Sequence, residues 1–483
     1  MKQIIYYLLL LLLIIQSGCN RPSEIQKIDG MPPIYPDYTN ITIPYNIAPL
    51  NFLLRNKPQS VEVSVKGKNT SFVVYGNEKI QFPERKWRSL LESEKGNDIT
   101  VEVTVEKDGK WYRYAAFKWK VSIHKIDSYL SYRRIEPGYE VWNKIQICQR
   151  NLENFSEKVL ADNNLTDGSC MNCHIYNQHQ KDVSLFHLRG KKGGTILNRN
   201  GKLRKLNTKG VNSFAPAVYG AFHPSGRFGV FSQNTIIPEF HAYRSERLEV
   251  YDTASDLVIL DFDKNSVNTS LLVSGNQTLE TFPVFSADGK SVYYCAAPQL
   301  PLPDSIRSLR YSLMRIGFDE KSGQFGNKVD TILSANSLQQ SVSFPKVSPN
   351  GRFLLFCVSD YGTFPIWHNE TDLRMLDLKT GGVDSLKQVN AWYSDSYHSW
   401  SSESRWFVFA SKRDNGIYGK PYFSYIDNNG VASKPFVLPQ KDPAYYDYTL
   451  ISFNIPELSK DGVSFGAMDV EDAYFNLPTD EMK

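Results

Sequence analysis

The chain has 483 residues, and its 55 Lys and Arg against 51 Asp and Glu leave a net charge of +4 spread over mixed-sign segments. No basic tract marks a nucleic-acid partner. Aromatic residues are abundant (28 Tyr, 27 Phe, 8 Trp) and Gly and Pro punctuate often, which favours β-structure.

Met1-Lys2 precedes a continuous apolar run over 4–15, and Gln16-Ser17-Gly18-Cys19 follows it. The run is too short to span a bilayer and has the proportions of a secretory h-region. It resembles a bacterial lipoprotein signal (1–18) with Cys19 as the lipidated residue. Asn20 is not the aspartate that marks inner-membrane retention, so the resemblance implies an outer-membrane anchor, facing the periplasm or the cell surface. An acyl chain tethers without spanning. Residues 19–45, with Pro22, Pro32, Pro33, Pro36 and Pro44, read as a tether.

From 46 to 125 the pattern is short alternating strands. Val61, Val63 and Val65 share one strand face, as do Val101, Val103 and Val105. Asp108-Gly109 marks a tight turn, and Trp111 to Val121 returns with Phe117, Trp119 and Val121 on one side. This predicts an antiparallel sandwich of immunoglobulin-like size. In the next segment, 126–192, Val141, Ile145, Cys148, Leu152, Phe155 and Val159 are spaced 4, 3, 4, 3, 4, which predicts one helical face with Cys148 as a core residue.

Cys170-Met171-Asn172-Cys173-His174 follows that predicted helix. Two thiols at this spacing can add across the vinyl groups of a haem, and the next histidine can ligate its iron. Chance yields the pattern in about one in a thousand chains of this composition. The expected cofactor is haem c, attached at Cys170 and Cys173 with His174 proximal. Zinc is the alternative, needing further donors such as His179 or His187. For the distal axial position His187 is favoured, 13 residues beyond His174 and followed by Arg189-Gly190, with His179, His223 and His398 as the other candidates. Arg189, Lys191 and Lys192 are available to haem propionates.

Residues 193–483 carry a repeated template, in which an apolar residue and Ser or His are followed, after two further residues, usually by Gly, then a basic residue and an apolar strand. It occurs at Phe222–Arg227, Phe285–Lys290, Val347–Arg352 and Trp400–Arg405, with starts 63, 62 and 53 residues apart and Ser404 replacing Gly in the last. Near-periodic self-similarity in a β-rich chain predicts a propeller. Asn200-Gly201 predicts a hairpin (195–206) closing the ring against strands near 452–456 and 463–468. Five blades can be counted, with six as the alternative. Six residues past each turn stand Ser232, Cys295, Cys357 and Ala410, so the two cysteines read as core fillers rather than a disulfide.

The Ser-x-Asp-Gly-Lys-type turns resemble the TolB-like propeller family of Gram-negative envelope proteins. The lipobox, sandwich, Cys-x-x-Cys-His and propeller together resemble TolB-like lipoproteins associated with cytochromes. That resemblance implies six blades and says little about function. Gly462-Val463-Ser464-Phe465-Gly466 matches a nucleophile elbow, but the last histidine, His398, lies upstream of Ser464, so a hydrolase is rejected and the stretch is expected to be a blade strand. The fold class is therefore mainly β: sandwich, short helical haem-binding linker and propeller. Two functions follow: a tethered monohaem cytochrome, in electron transfer or redox sensing, whose propeller docks an unknown redox or envelope partner, or a non-enzymatic binding propeller with a structural haem or zinc site.

Overall fold

The computed structural model describes residues 25–137, 143–210, 213–240 and 248–483; the expected signal segment and Cys19 lie outside them. The described chain is mainly β. No described helix is long and apolar enough to cross a membrane.

The N-terminal module has a seven-stranded sheet built around Asp98–Lys107, and a small sheet of Ile34–Tyr35, Phe52–Leu54 and Lys79–Ile80. The valine faces pair across it: Val61 with Val105, Val63 with Val103 and Val65 with Val101, all buried. Asp108 and Gly109 both take left-handed φ (52° and 72°), the twist a two-residue hairpin turn needs. A helix, Glu84–Ser93, buries Trp87, Leu90 and Leu91. The expected tether differs: within 25–45, Ile25–Lys27 and Ile41–Pro44 each add to this sheet by parallel pairing, and Tyr38, Ile41 and Ile43 are buried. Alternating Ile41 and Ile43 outweigh the prolines, which fall at strand ends and turns.

The propeller has six blades. Blade 1 is Tyr129–Glu136, Lys144–Asn151 and Glu157–Asp162, completed at the axis by the C-terminal strand Ser452–Ser459. Blade 2 is Met171–Tyr176, Val183–Leu188, Gly194–Arg199 and Lys202–Asn207, with Thr479–Glu481 on its outer edge. Blades 3 to 6 begin at the axis with Ala217–Phe222, Thr278–Phe285, Ser341–Val347 and Asp395–Trp400, each followed by three antiparallel strands. The four template turns join inner to second strands as expected. Gly226, Gly289, Gly351 and Ser404 hold the same left-handed φ (73°, 72°, 71°, 58°), which is why three of the four are glycine.

Four further expectations are corrected. In place of the predicted helix over 141–159, whose first residue Val141 lies outside the described residues, Lys144–Asn151 and Glu157–Asp162 are two strands of blade 1. A blade strand is covered on both faces by its neighbours, so its apolar residues lose the period of two and imitate a helix. Cys148 is still a core residue, fully buried. With that helix goes the linker: segment 126–192 supplies three strands of blade 1 and the two inner strands of blade 2. Ring closure also differs, since the 195–206 hairpin pairs with Val183–Leu188 and Thr479–Glu481 instead of 452–456. Residues 462–466 are a loop leading into the helix Ala467–Phe475, not a strand.

Cys295 and Cys357 pair with Thr281 and Ser343, the positions where Ser232 pairs with Tyr219 and Ala410 with Ser396. All four are fully buried, as core fillers should be. One apolar core runs from Trp87 and Trp119 of the N-terminal module through Trp406, Phe423 and Phe353 of the propeller.

Candidate functional site

The inner strands do not run straight. In five of them one residue takes a left-handed φ: Cys173 (58°), Phe282 (50°), Phe344 (49°), Tyr397 (47°) and Ile455 (52°). At each, the pairing with the second strand slips, so the bulge residue and its successor together oppose one partner. Blade 3 carries a related slip before Tyr219. A β-bulge re-aims side chains, and here it turns consecutive pairs toward the axis. These pairs are Cys173-His174, Tyr219-Gly220, Phe282-Pro283, Phe344-Pro345, Tyr397-His398 and Ile455-Pro456. The amide N–H of Phe344 faces the Cys295 sulfur, and that of Tyr397 faces Cys357. The repeat thus places a small residue behind each bulge.

The haem-like motif is therefore part of the innermost strand of blade 2. Cys173 stands where other blades carry Phe, Tyr or Ile, and His174 where they carry Pro, Gly or His. A thiol in place of a ring leaves room, and an axial cavity of about 290 Å³ opens there. Its wall includes Cys170, Cys173 and His174, the rings of Tyr219, Phe282, Phe344 and Tyr397, and the cations Arg133, Arg189 and Lys346. Cys170 is half-buried, Cys173 is 6% exposed and His174 is 3% exposed. Along the axis lies a second cavity of about 130 Å³, sharing Ile175, Lys346, Ser399 and Glu457 with the first.

Burial governs the charges. It pushes the Cys173 thiol up to about 12, against the opposing influence of Arg133 and Arg189. It pushes His174 down to about 4, although backbone groups of Ser131 and Ile455 favour the charged ring. Neither His174 nitrogen makes a well-formed hydrogen bond. A neutral imidazole with its nitrogens uncommitted is the form that ligates a metal. Glu457 is pushed up to about 7 by burial, with Lys346 opposing.

The other histidines separate clearly. His187, the expected distal residue, lies one strand outward, opposite Asn172 and Thr195, with its Nδ1 3.2 Å from Thr195 Oγ1; it does not line the cavity. His179 sits at the second cavity with Nδ1 3.0 Å from the Leu458 carbonyl. His223 is in a blade turn, bonded to Ser225 and edge-on to Phe285. His398 alone of these shares the cavity with His174: its Nδ1 is 3.7 Å from Cys357 Sγ, its Nε2 makes no well-formed hydrogen bond, and burial pushes it down to about 3. Lys191 and Lys192 are exposed away from the wall, whereas Arg133 and Lys346, which the sequence reading missed, line it. The missed signal was an apolar residue, usually followed by Pro or His, four positions before each turn Ser, with Cys173 at that distance from Asn177. Among the described residues no three His, Cys, Asp or Glu side chains converge at metal-holding distance.

No protein-family model and no curated protein matches this chain. Among solved structures it is similar to an oligogalacturonate lyase in complex with manganese, at 13% identity over 64% of this chain and 73% of that one, TM-score 0.36. It is also similar to the β-propeller domain of the Trilobed protease from Pyrococcus furiosus, at 12% over 71% and 95%, TM-score 0.35. A third is hydrazine synthase from Kuenenia stuttgartiensis, at 11% over 66% and 48%, TM-score 0.39. Likeness at this level concerns fold alone, and the blade count rests on the hydrogen-bonded sheets.

Proposed function

We propose that the axial cavity holds one covalently attached haem c, making the protein a monohaem cytochrome-like propeller for electron transfer or redox sensing. The observation that carries this reading is that Cys170, Cys173 and His174 all line one cavity whose wall also includes aromatic rings and three cations. Zinc requires donors converging on a point, whereas a haem takes thiols at its rim and an imidazole at its face, so the unconverged donors suit haem better. A bound haem supplies one-electron chemistry at its iron.

The chain's own residues have separable tasks. Cys170 and Cys173 would anchor the group, and His174, held neutral by burial, would offer a lone pair. Arg133, Arg189 and Lys346 would balance anionic propionates. Tyr219, Phe282, Phe344 and Tyr397 would exclude water. We further propose that Cys19 is the lipid anchor, that the protein is tethered to the outer membrane facing the periplasm or cell surface, and that the propeller docks an unidentified redox or envelope protein.

A second reading is a binding or scaffolding propeller in which the motif is structural. It is favoured by one observation, that Cys173 and His174 fill positions every blade must fill. Co-expression with haem-attachment machinery separates the two. The first reading expects a reversible redox spectrum that survives denaturation and is lost in Cys170→Ala/Cys173→Ala. A colourless protein, with or without stoichiometric zinc, would sink it.

A further inference from the structure

The loop of residues 360–371 in blade 5 joins Phe353–Ser359 to Asp372–Asp377 and contacts residues of blades 3 and 4 over the axial cavity. Phe364, Ile366 and Trp367 from this loop line the axial cavity. Phe364 packs edge-on against Phe282 and Tyr219, with ring centres 5.6 and 5.8 Å apart. From the other side, blade 3 contributes Ile236, Pro238 and Val250 of its two long strands to the same roof.

A buried ionic contact also joins the loop to blade 3. His368, 5% exposed, sits between Glu249 of blade 3 and Glu370 of its own loop, with Nε2 3.3 Å from Glu249 Oε1 and Nδ1 3.2 Å from Glu370 Oε1. The Tyr361 ring covers His368 at 4.6 Å. Glu249 is itself 5% exposed, so both partners are withdrawn from water. A charged contact of this kind holds only while both partners keep their charge, because either one alone would be buried and unpaired. Blade 6 pins the far end: the Lys412 ammonium donates to the Ile366 carbonyl at 2.6 Å and lies over the Trp367 ring at 5.0 Å, and Ser394 donates to the Pro365 carbonyl at 2.9 Å.

We propose that loop 360–371 is a lid over the axial cavity and that Glu249–His368–Glu370 is the latch that keeps it shut. The proposal rests on the axial cavity being the functional site, whether or not its occupant is haem. The two carboxylates outweigh burial and raise His368 to about 9, while His368 in turn holds Glu370 below its ordinary range. His368 is thus charged at neutral pH. Its raised value makes its contribution complete below its ordinary value of 6.5 and lost as pH rises through about 9. The lowered value of Glu370 works in the opposite direction, and its contribution is lost as acid protonates it. The groups facing His368 among the described residues are Glu249, Glu370 and Tyr361.

The test uses the full chain and two variants, His368→Ala and Glu249→Gln. Hydrogen exchange of the segment 359–372 at pH 7 is expected to rise about tenfold in both, with exchange in Trp406–Ser411 unchanged as the control for folding. The difference from wild type should vanish above pH 9. Access is measured in parallel. If the protein carries haem, the probe is imidazole and its association rate is read by absorption; if it does not, the probe is N-ethylmaleimide and labelling of Cys173 is read by mass. Either rate is expected to rise about tenfold in the variants. Unchanged exchange, or equal probe rates in wild type and both variants, overturns the lid. The haem reading is judged separately by which probe applies.

Discussion

Cys173 holds a left-handed backbone at φ 58°, a conformation that costs a non-glycine residue on the order of 1 kcal/mol. Four other blades accept the same conformation with Phe, Tyr or Ile, so it belongs to the repeat and is not peculiar to the thiol. What is peculiar is the small side chain. Cys173→Phe restores the residue that two blades carry, and is expected to leave the melting temperature within a few degrees of wild type while abolishing haem retention, both read optically. A large loss of stability would show that the slot in blade 2 is shaped for a thiol alone. The histidines make a second expectation. His187→Ala removes a bond to Thr195 and is expected to leave the haem spectrum unchanged, whereas His398→Ala removes an imidazole from the cavity wall and is expected to alter it. At this scale the motif itself was legible in sequence. Its neighbours across the axis were not, because His398, Tyr219 and Arg133 are brought to it by blade geometry and not by spacing along the chain.

At the scale of elements, the template turns and the strands after them were readable because Gly or its substitute must sit at one left-handed position. The first blade was not readable. Lys144–Asn151 is buried on both faces, and a strand without a polar face carries no alternation. The axial strand of this blade, Ser452–Ser459, pairs with Tyr129–Glu136 from more than 300 residues away and closes the ring. Leu458 on that strand is fully buried in the shared core. Leu458→Ala is expected to cost about 2–5 kcal/mol, measured by denaturant unfolding, since it both removes apolar burial and loosens the closure. A cost below about 1 kcal/mol would mean that the strand is held by its backbone pairing alone.

At the scale of the whole molecule, the N-terminal module and the propeller share one core, with Trp406 bonded through its ring N–H to the His124 carbonyl at 3.2 Å. Calorimetry is expected to show both unfolding in a single transition, and two resolved transitions would contradict the shared core. The strand pattern and the repeat distinguished the two parts in sequence but could not show that they pack as one, because the contacts join residues hundreds of positions apart, such as Asn51 with Gln440 and Arg55 with Asp447. A rigid surround of this kind would keep aromatic rings and cations in place around the proposed occupant. Whether that occupant is haem is decided most directly on the tryptic peptide 159–181, which carries Cys170, Cys173 and His174. Mass spectrometry of this peptide, from protein co-expressed with the attachment machinery, is expected to show it heavier by one haem with both thiols blocked. The same peptide at its unmodified mass, with two free thiols, would contradict the account.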